Sequence, residues 1–558
     1  MNTITKLLQQ YQDNTKAKDA IRLIVHTQQS VFLTGKAGTG KSWLLKALTP
    51  VLNKKHIILA PTEVAALQAG GENIHTFFGF EWRAFLPTDV DIPPLSQSRI
   101  ALLEEVDLII IDEISMVRCD LMNAIDLSLR KNLGIDLPFA GKQLLMIGDL
   151  YQLPPILNEK DKETVQLLRT HYSSRYFFSA KAFDQDFEYQ IVELAKVYRQ
   201  RDKKFISLLN AIRMNQMNDE HLQLLNQRCV TIPEGDSKYR ITLATSNAIV
   251  SKLNEEKLAA IEGDLYEVAA QQKGRFSNVG SNFPTDSMIY LKIGAQIMFV
   301  RDDEEGRWVN GTLGKILEVT QQYILVEVKE VNTKVQHKVA RHTWYKTIYN
   351  WNIAAETIEK EIIGTFTQFP IKLAWGITIH KSQGQTFDNV IINMGSKAFA
   401  TGQTYVALSR CTSFKGIVLK RPIGPEDIFV DKRITRFLEA QKQYRADKNS
   451  YITMLEHTER SIQQQQIILS SLEQTVEKNH EETSKIVRQL VEKAKRLDWL
   501  ESDAGSAQKN LKEVEAKLGS ALSELAKKEA EVVEVRSSTL LLKLIIGIAA
   551  VVILYLLF

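Results

Sequence analysis

The sequence predicts a two-lobed α/β protein with a small β-barrel set into its second lobe, continued by a long coiled coil and one C-terminal membrane helix. Three observations carry that expectation. Short blocks rich in Val, Ile and Leu alternate with helical stretches through most of the first 433 residues. No proline follows Pro425, and residues 434–536 are largely Glu, Lys, Gln, Ala and Leu. The final nineteen residues, Leu540–Phe558, are the most hydrophobic in the chain. At 558 residues the protein is too long for one core, and its length suits about three to four domain-sized units.

In the first lobe, expected over 1–195, Val31–Thr34, His56–Ala60, Val106–Ile111 and Gln143–Ile147 are apolar runs without polar alternation. Such runs suit strands buried on both faces, the habit of parallel sheets covered by helices. A second α/β pattern, over 196–306 and 370–433, places strands at Ile241–Thr245, Ala295–Val300, Val390–Met394 and Gly416–Leu419. Between 307 and 369 the texture changes. Asn310–Gly311 signals a hairpin, and Tyr323–Val328 and Lys334–Val339 alternate faces, so a small inserted barrel is expected there. Trp308 and Trp375 are expected to be structural.

Heptads set with Leu469 at position a keep register to Val535, with apolar residues at sixteen of the twenty a and d positions. That favours a coiled coil over a solvated single helix, and over 469–535 it would run about 100 Å. Asn479, at a d position, would fix register in a parallel dimer; the competing arrangement is an antiparallel hairpin bent near Ser502–Ser506. In the tail, Leu544–Phe558 alone would span about 22 Å as a helix, short of a ~30 Å hydrocarbon core. Adding Leu540–Leu542, with Lys543 snorkelling, extends it to about 28 Å. Fourteen Leu, Ile, Val or Phe residues contribute roughly −6 kcal/mol to insertion, more than one near-terminal lysine costs. A buried terminal helix is the alternative, but no adjoining segment offers it a globular core. With no other span, the lobes would stay on the cytoplasmic side of a membrane, a bacterial inner membrane being the expectation, where Arg536 and Lys543 also lie.

Composition excludes less than it allows. A net charge of +4 neither demands nor rules out a nucleic-acid partner. Cys119, Cys229 and Cys411 form no metal-ligand spacing and no disulfide framework, which suits a reducing compartment. The N-terminal stretch lacks an apolar core of signal-peptide length.

Chemistry enters at Gly35–Ser42, GKAGTGKS, directly after the apolar strand Val31–Leu33. Gly35, Lys36, Ala37, Gly38, Thr39 and Gly40 form a loop whose backbone N–H groups can wrap a phosphate. Lys41 supplies a cation between β- and γ-phosphates, and the Ser42 hydroxyl can ligate Mg²⁺ at the positive end of the next helix. The strand in VDLIIIDEIS (Val106–Ser115) delivers Asp112 and Glu113 side by side. The first can hold a metal's shell and the second can polarise an attacking water.

GDLYQLPP (Gly148–Pro155) then adds a third motif, and with LAPTEVAALQAGGENIHTFFG (Leu59–Gly79) the chain resembles the Pif-type, superfamily-1B DNA helicases, relatives of the RecD-like group. ELAKVYRQ (Glu193–Gln200), LKIGAQIMFVRDD (Leu291–Asp303), VNGTLG (Val309–Gly314), LAWGITIHKSQGQTFDNV (Leu373–Val390) and TYVALSRCTS (Thr404–Ser413) follow in family order. The resemblance covers about residues 20–432; the stalk and tail lie outside it. It implies two RecA-like P-loop domains that use ATP and Mg²⁺ and move 5′→3′ on single-stranded and forked DNA, in replication, repair, recombination or telomere-type maintenance. It further implies that Lys41 and Ser42 bind nucleotide and metal, Asp112 completes the metal site, and Glu113 is the catalytic base. Gln152 would sense the γ-phosphate, Arg199 and Arg410 would be arginine fingers, and Gly384 would border the nucleotide.

The single-strand path implied by the same match comprises Pro61, Thr62, His75, Thr76 and Phe77 in the first lobe. In the second it comprises Thr378, His380, Lys381, Ser382 and Gln383. Hydroxyl and imidazole donors suit phosphate oxygens, and an aromatic such as Phe77 can stack a base without reading it, unless Phe77–Phe78 are core. Two departures stand out. The glutamine by which relatives read adenine has no evident counterpart, Gln28 and Gln29 lying too near the strand, and Gln385 replaces a residue usually apolar. The expectation is a membrane-tethered helicase that self-associates, or engages a partner, through its coiled coil. The rival is a nucleotide-gated, membrane-bound DNA clamp with little unwinding, and RNA is a third track.

Overall fold

Continuous apolar runs built the expectation of parallel sheets, and the first lobe has one. The computed structural model describes residues 3–184, 187–231, 239–276, 283–329 and 333–444, with scattered helical residues and short helical runs between 467 and 527, and separates into units Met1–Ile434 and Thr435–Phe558. The first lobe begins with helices α1 (Thr3–Gln10) and α2 (Thr15–His26) and continues through β1 (Ser30–Gly35), α3 (Lys41–Leu48), β2 (His56–Ala60), α4 (Glu63–Ala69), β3 (Glu72–Asn73) and α5 (Ile74–Phe78). It finishes with α6 (Gln97–Glu105), β4 (Leu108–Ile111), α7 (Cys119–Leu133), β5 (Gln143–Ile147), α8 (Lys162–His171) and β6 (Tyr189–Leu194). The six strands pair in parallel in the order β3-β2-β4-β5-β1-β6. Every residue of β1, β4 and β5 is buried, as helices on both faces require. In such sheets the loops leaving the C-terminal ends of the strands gather the ligand-handling residues. Here those loops carry Gly35–Gly40, Pro61–Thr62, Asp112–Glu113 and Gly148–Pro155.

The second lobe opens with α9 (Lys203–Arg213), α10 (Asp219–Asn226), β7 (Ile241–Ala244) and α11 (Asn247–Ala259). An insertion follows, containing β8 (Tyr266–Ala269), β9 (Gln271–Gly274), β10 (Met288–Leu291), β11 (Gln296–Phe299), β12 (Leu313–Val319), β13 (Tyr323–Lys329), β14 (Lys334–Ala340), β15 (His342–Asn352), β16 (Thr357–Gln368) and β17 (Ile371–Leu373). The lobe resumes with β18 (Gly376–Thr378), β19 (Val390–Asn393), α12 (Gln403–Ser409) and β20 (Ile417–Leu419). Strands β18, β7, β19 and β20 form its four-stranded parallel sheet. Ala37 and Leu153 of the first lobe sit in the apolar core of the second, so the lobes share packing.

Two expectations need correction. Ala295–Val300 is not part of the second parallel sheet. Its strand β11 pairs antiparallel with β12 and β17 inside the insertion, whose strands run from 266 to 373 and so beyond the expected 307–369. Nor do the described strands close into one barrel. They form an open five-stranded sheet β14-β13-β12-β11-β17, a β15-β16-β9 sheet and a β10-β8 ribbon. The alternation in β13 is as expected, with Ile324, Val326 and Val328 facing a core that includes Trp308, which stacks on Phe299 at 4.3 Å. A fully buried apolar strand reads the same whether its neighbours run parallel or antiparallel, which is why β11 was misplaced.

The long β15–β16 hairpin went unread in the sequence, and it reaches across to the first lobe. Lys346 pairs with Glu63 at 2.8 Å, and the Tyr349 hydroxyl accepts the buried Ile58 N–H at 3.0 Å. Tyr349 N–H donates to Glu72, whose other carboxylate oxygen meets Arg99 at 2.6 Å. In the second unit every described residue is helical. Of the twenty heptad positions only Ile486 is described, 44% exposed; the remainder, with Leu540–Phe558, lie outside the described residues. Among the described residues no helix is long and apolar enough to cross a membrane.

Tyr349→Phe removes the acceptor of a buried amide and should cost about 1–3 kcal/mol. A lowered urea midpoint checks it, with exposed Tyr345→Phe as a control that leaves the midpoint in place.

Candidate active site and strand path

Strand β1 runs into a loop that only glycine-rich sequence can follow. Gly38 and Gly40 take φ +78° and +84°, and a Cβ on Gly38 would come within 2.6 Å of the Arg199 Cβ. Thr39 Oγ1 donates to the Lys36 carbonyl at 2.8 Å, closing the turn. Lys41, opening α3, donates to the carbonyls of Gly35 at 2.7 Å and Lys36 at 3.2 Å. Burial holds its ammonium below the usual lysine range, with Asp149 and Glu113 pulling the other way.

Beside the loop stand the two acids from β4. Burial pushes Asp112 up to about 6. Burial, and then the charge of Asp112, pushes Glu113 up to about 7. Glu113 sits in the left-handed region at φ +53°, its N–H bonded to Asp112 Oδ1 at 3.0 Å. The desolvated Asp112 carboxylate and the Ser42 hydroxyl at the head of α3 are hard oxygen donors of the kind a divalent cation takes, so their chemistry fits magnesium.

The second lobe leans on this cleft. Arg410 is 1% exposed and donates to the carbonyls of Val406 and Gln385 and to Ser409 Oγ. Arg199 donates to the carbonyls of Ser409 at 3.2 Å and Gly384 at 3.3 Å. Among the described residues neither guanidinium has an ion pair. Burial, then the neighbouring Arg410, pushes Arg199 down to about 9, and burial pushes Arg410 down to about 10. Gln385 accepts from Arg410 through its backbone carbonyl while its side-chain Oε1 is buried without a hydrogen-bond partner, so the unusual side chain takes no part in holding Arg410.

Three contacts here were not foreseen. The Tyr405 hydroxyl of α12 accepts the Ala37 N–H of the nucleotide loop at 2.8 Å. A Cβ on Gly402, at the head of α12, would meet the Tyr151 and Gln152 carbonyls at 2.4 Å, so the lobes touch backbone to backbone. Asp149, fully buried, pairs with Arg213 of α9 at 3.1 Å and accepts the Gln152 amide at 3.2 Å, while the Arg213 guanidinium lies 4.2 Å from the Tyr151 ring centre. Asp149 lies inside a quoted motif, but a lone helical arginine carries no sequence signal. On the loop's other side, Asn14 caps α2 and donates to Tyr198 Oη at 3.2 Å. Tyr198 packs 3.7 Å from the Cβ position of Gly40, and Tyr11 meets Trp43 edge-on.

The strand residues divide by burial. Thr62, His75, Thr76, His380 and Lys381 retain exposed surface. Phe77 does not: it is 1% exposed, with the Arg99 guanidinium 4.4 Å from its ring centre and Phe78 against its side, so it is core and no base-stacking surface. Ser382 is fully buried and spends its hydroxyl on the Ile379 carbonyl at 2.8 Å. Thr378 and Pro61 are also buried, the former accepting Lys381 N–H, the latter offering its carbonyl to Asn73. Gln383 points elsewhere, donating to Glu113 at 3.3 Å, which joins the second lobe's strand motif to the acid pair. Apolar and hydroxyl side chains in a motif look alike in sequence whether they face ligand or core.

A phosphate loop, a desolvated acid pair and two arginines from a facing parallel-sheet lobe define a two-lobed P-loop nucleoside triphosphatase. Residues 9–223 match the model of the PIF1-like helicase family. The chain is 31% identical over 424 residues to the ATP-dependent DNA helicase Pif1 of Bdellovibrio bacteriovorus, covering 74% of this chain and 89% of that one. It is 30% identical to human ATP-dependent DNA helicase PIF1, covering 75% of this chain but only 62% of the human one. The crystal structure of Bacteroides sp Pif1 in complex with ADP-AlF4 is 37% identical, with a TM-score of 0.71 over 77% of this chain and 97% of that one. The chain belongs to the PIF1-like helicase family.

Arg213→Met leaves Asp149 buried and unpaired and should cost about 3–5 kcal/mol in a denaturant titration. Adding Asp149→Asn should recover part of that loss, because the charge left behind is what destabilises.

Proposed function

We propose that the protein is an ATP-dependent DNA helicase that moves 5′→3′ along single-stranded DNA and separates duplex ahead of it, tethered to a membrane by its C-terminal tail. The observation that carries the motor reading is the pair of guanidiniums, half-buried Arg199 and fully buried Arg410, presented by the second lobe at the first lobe's nucleotide loop without a carboxylate partner among the described residues. Cations placed in a water-poor cleft stabilise charge that develops on a transferring phosphoryl group and are silent until the lobes close.

Backbone N–H groups of the loop and Lys41 hold the triphosphate of ATP. Ser42 and Asp112 hold magnesium, which neutralises phosphate charge when bound. Glu113 takes a proton from, or orients, the attacking water; its raised affinity for protons suits that task near neutral pH. Hydrolysis changes what Arg199, Arg410 and Tyr405 contact, so the lobes part. Thr62, His75 and Thr76 on one lobe and His380 and Lys381 on the other then exchange their grip on strand phosphates. The Gln383–Glu113 hydrogen bond is the shortest link between that grip and the chemistry. The names of the relatives support DNA as the track. Polarity rests on family likeness alone, as do roles in replication, repair or recombination.

Lys41→Ala should abolish DNA-stimulated hydrolysis, and Arg410→Lys should lower kcat at least tenfold with little change in strand affinity; a parental rate from Lys41→Ala would end the motor reading. Purified protein should unwind a forked duplex with a 5′ tail, and activity confined to a 3′-tailed duplex would reverse the polarity. Stimulated hydrolysis without strand separation would favour a nucleotide-gated clamp. For the anchor, green fluorescent protein fused to residues 1–536 should remain in the carbonate supernatant while the full-length fusion pellets; equal pelleting would reject it.

A further inference from the structure

Among the described residues the two most exposed Trp, Tyr or Phe rings are Trp82, 71% exposed, and Phe399, 61% exposed. Each lies nearly parallel to a histidine of a strand motif, one per lobe. Trp82 stacks on His75 with ring centres 3.9 Å apart and planes 12° from parallel. Phe399 lies parallel to His380, 18° off, with centres 6.2 Å apart. Burial keeps both imidazoles below the usual histidine range, His75 down to about 4, so each is a neutral aromatic surface at physiological pH. Isolated exposed apolar residues are ordinary and need no explanation. Two rings held parallel to the two track histidines, with their outer faces left open, form a repeated arrangement.

We infer that Trp82 and Phe399 are base-stacking platforms, one on each motor lobe, that receive nucleobases of the single strand while neighbouring hydroxyls and lysines hold its phosphates. This rests on the DNA-track reading above and supplies what Phe77 cannot, since that ring is buried. Every base has a π-face, so stacking of this kind grips any sequence, as translocation requires. His75, in close stacking contact, holds the Trp82 ring, so little rotamer freedom is lost there when a base arrives. Local hydrogen bonds hold both segments in place. Phe80 N–H bonds the His75 carbonyl at 2.9 Å, bending the chain after α5, and Phe399 N–H bonds Gln403 Oε1 at 3.1 Å at the entry to α12. Because α12 carries Tyr405 and leads into Arg410, Phe399 sits just ahead of the helix that contacts the nucleotide loop. A base leaving Phe399 while Trp82 retains its own is a step of the strand relative to the second lobe.

The test compares binding of the full-length, detergent-solubilised protein to a fluorescent oligo-dT strand and to a strand of equal length made of abasic residues, by anisotropy at one salt concentration. The parent should prefer the base-bearing strand. Trp82→Ala and Phe399→Ala should each weaken oligo-dT binding about tenfold and leave abasic binding unchanged, in line with the usual worth of one stacked base. Trp82→Phe and Phe399→Tyr should restore most of the preference. A parent that binds both strands equally overturns the platforms while leaving the track reading intact, as do alanine variants that bind oligo-dT like the parent. Equal loss on both strands also overturns the proposal, because it marks a structural role. Binding to neither strand by the parent defeats the track reading itself.

Discussion

Asp149 and Arg213 form the contact on which the rest of the cleft depends. A carboxylate with no water around it, at the end of β5, is matched by a guanidinium from α9 that is itself buried and sandwiched against Tyr151. Burial opposes charge on Arg213, yet Asp149, then Tyr405 and Glu193, hold it above the ordinary arginine range. Neither partner can move alone without stranding a charge in a low-dielectric interior. The pair therefore fixes the second lobe's first helix against the first lobe's Gly148–Pro155 loop. Gln152 is fastened to the same carboxylate, and Gly402, with no side chain, lets α12 press onto that loop's carbonyls.

Around that fixed point the cleft holds charges in states that water would not favour. Asp112 and Glu113 bind protons more tightly than free carboxylates, while Lys41, Arg199 and Arg410 bind them less tightly than free cations. Desolvation is the first cause in all five. A site with opposite charges displaced in both directions is not arranged for stability, since pairing or exposing those groups would relieve it. A triphosphate carrying a divalent cation meets each of them with the complementary charge. Tyr405, bonded to the Ala37 N–H, places the second lobe's α12 against the same loop.

The insertion adds a second tie between the lobes, far from the nucleotide. Tyr349 and Lys346 connect the β15–β16 hairpin to β2, to β3 through Glu72 and to α4 of the first lobe, and Arg99 carries that connection to the Phe77 ring. The residue expected to stack a base is thus part of the support under the strand motif. Its neighbour His75 holds the face that Trp82 covers. Nothing in IHTFF distinguishes the two roles, because an aromatic in a five-residue helix faces core or groove according to what packs behind it.

What the sequence determined alone was whatever chemistry or periodicity forces locally. Short Val-Ile-Leu runs of four to six residues bounded by loops suit strands buried on both faces, and the positive φ values at Gly38 and Gly40 need glycine. Asp112 and Glu113 stand together because one strand ends there. Tertiary structure decided everything that depends on which distant surface arrives. It placed β11 in the insertion and Phe77 and Ser382 in the core. It turned Gln383 to Glu113, paired Arg213 with Asp149, and left Trp82 and Phe399 open on their histidines. The physical reason is range: backbone geometry and solvent exclusion along a strand act within one element, while burial and charge pairing are set by residues of other elements, 64 positions away for Arg213 and Asp149 and 270 for Gln383 and Glu113.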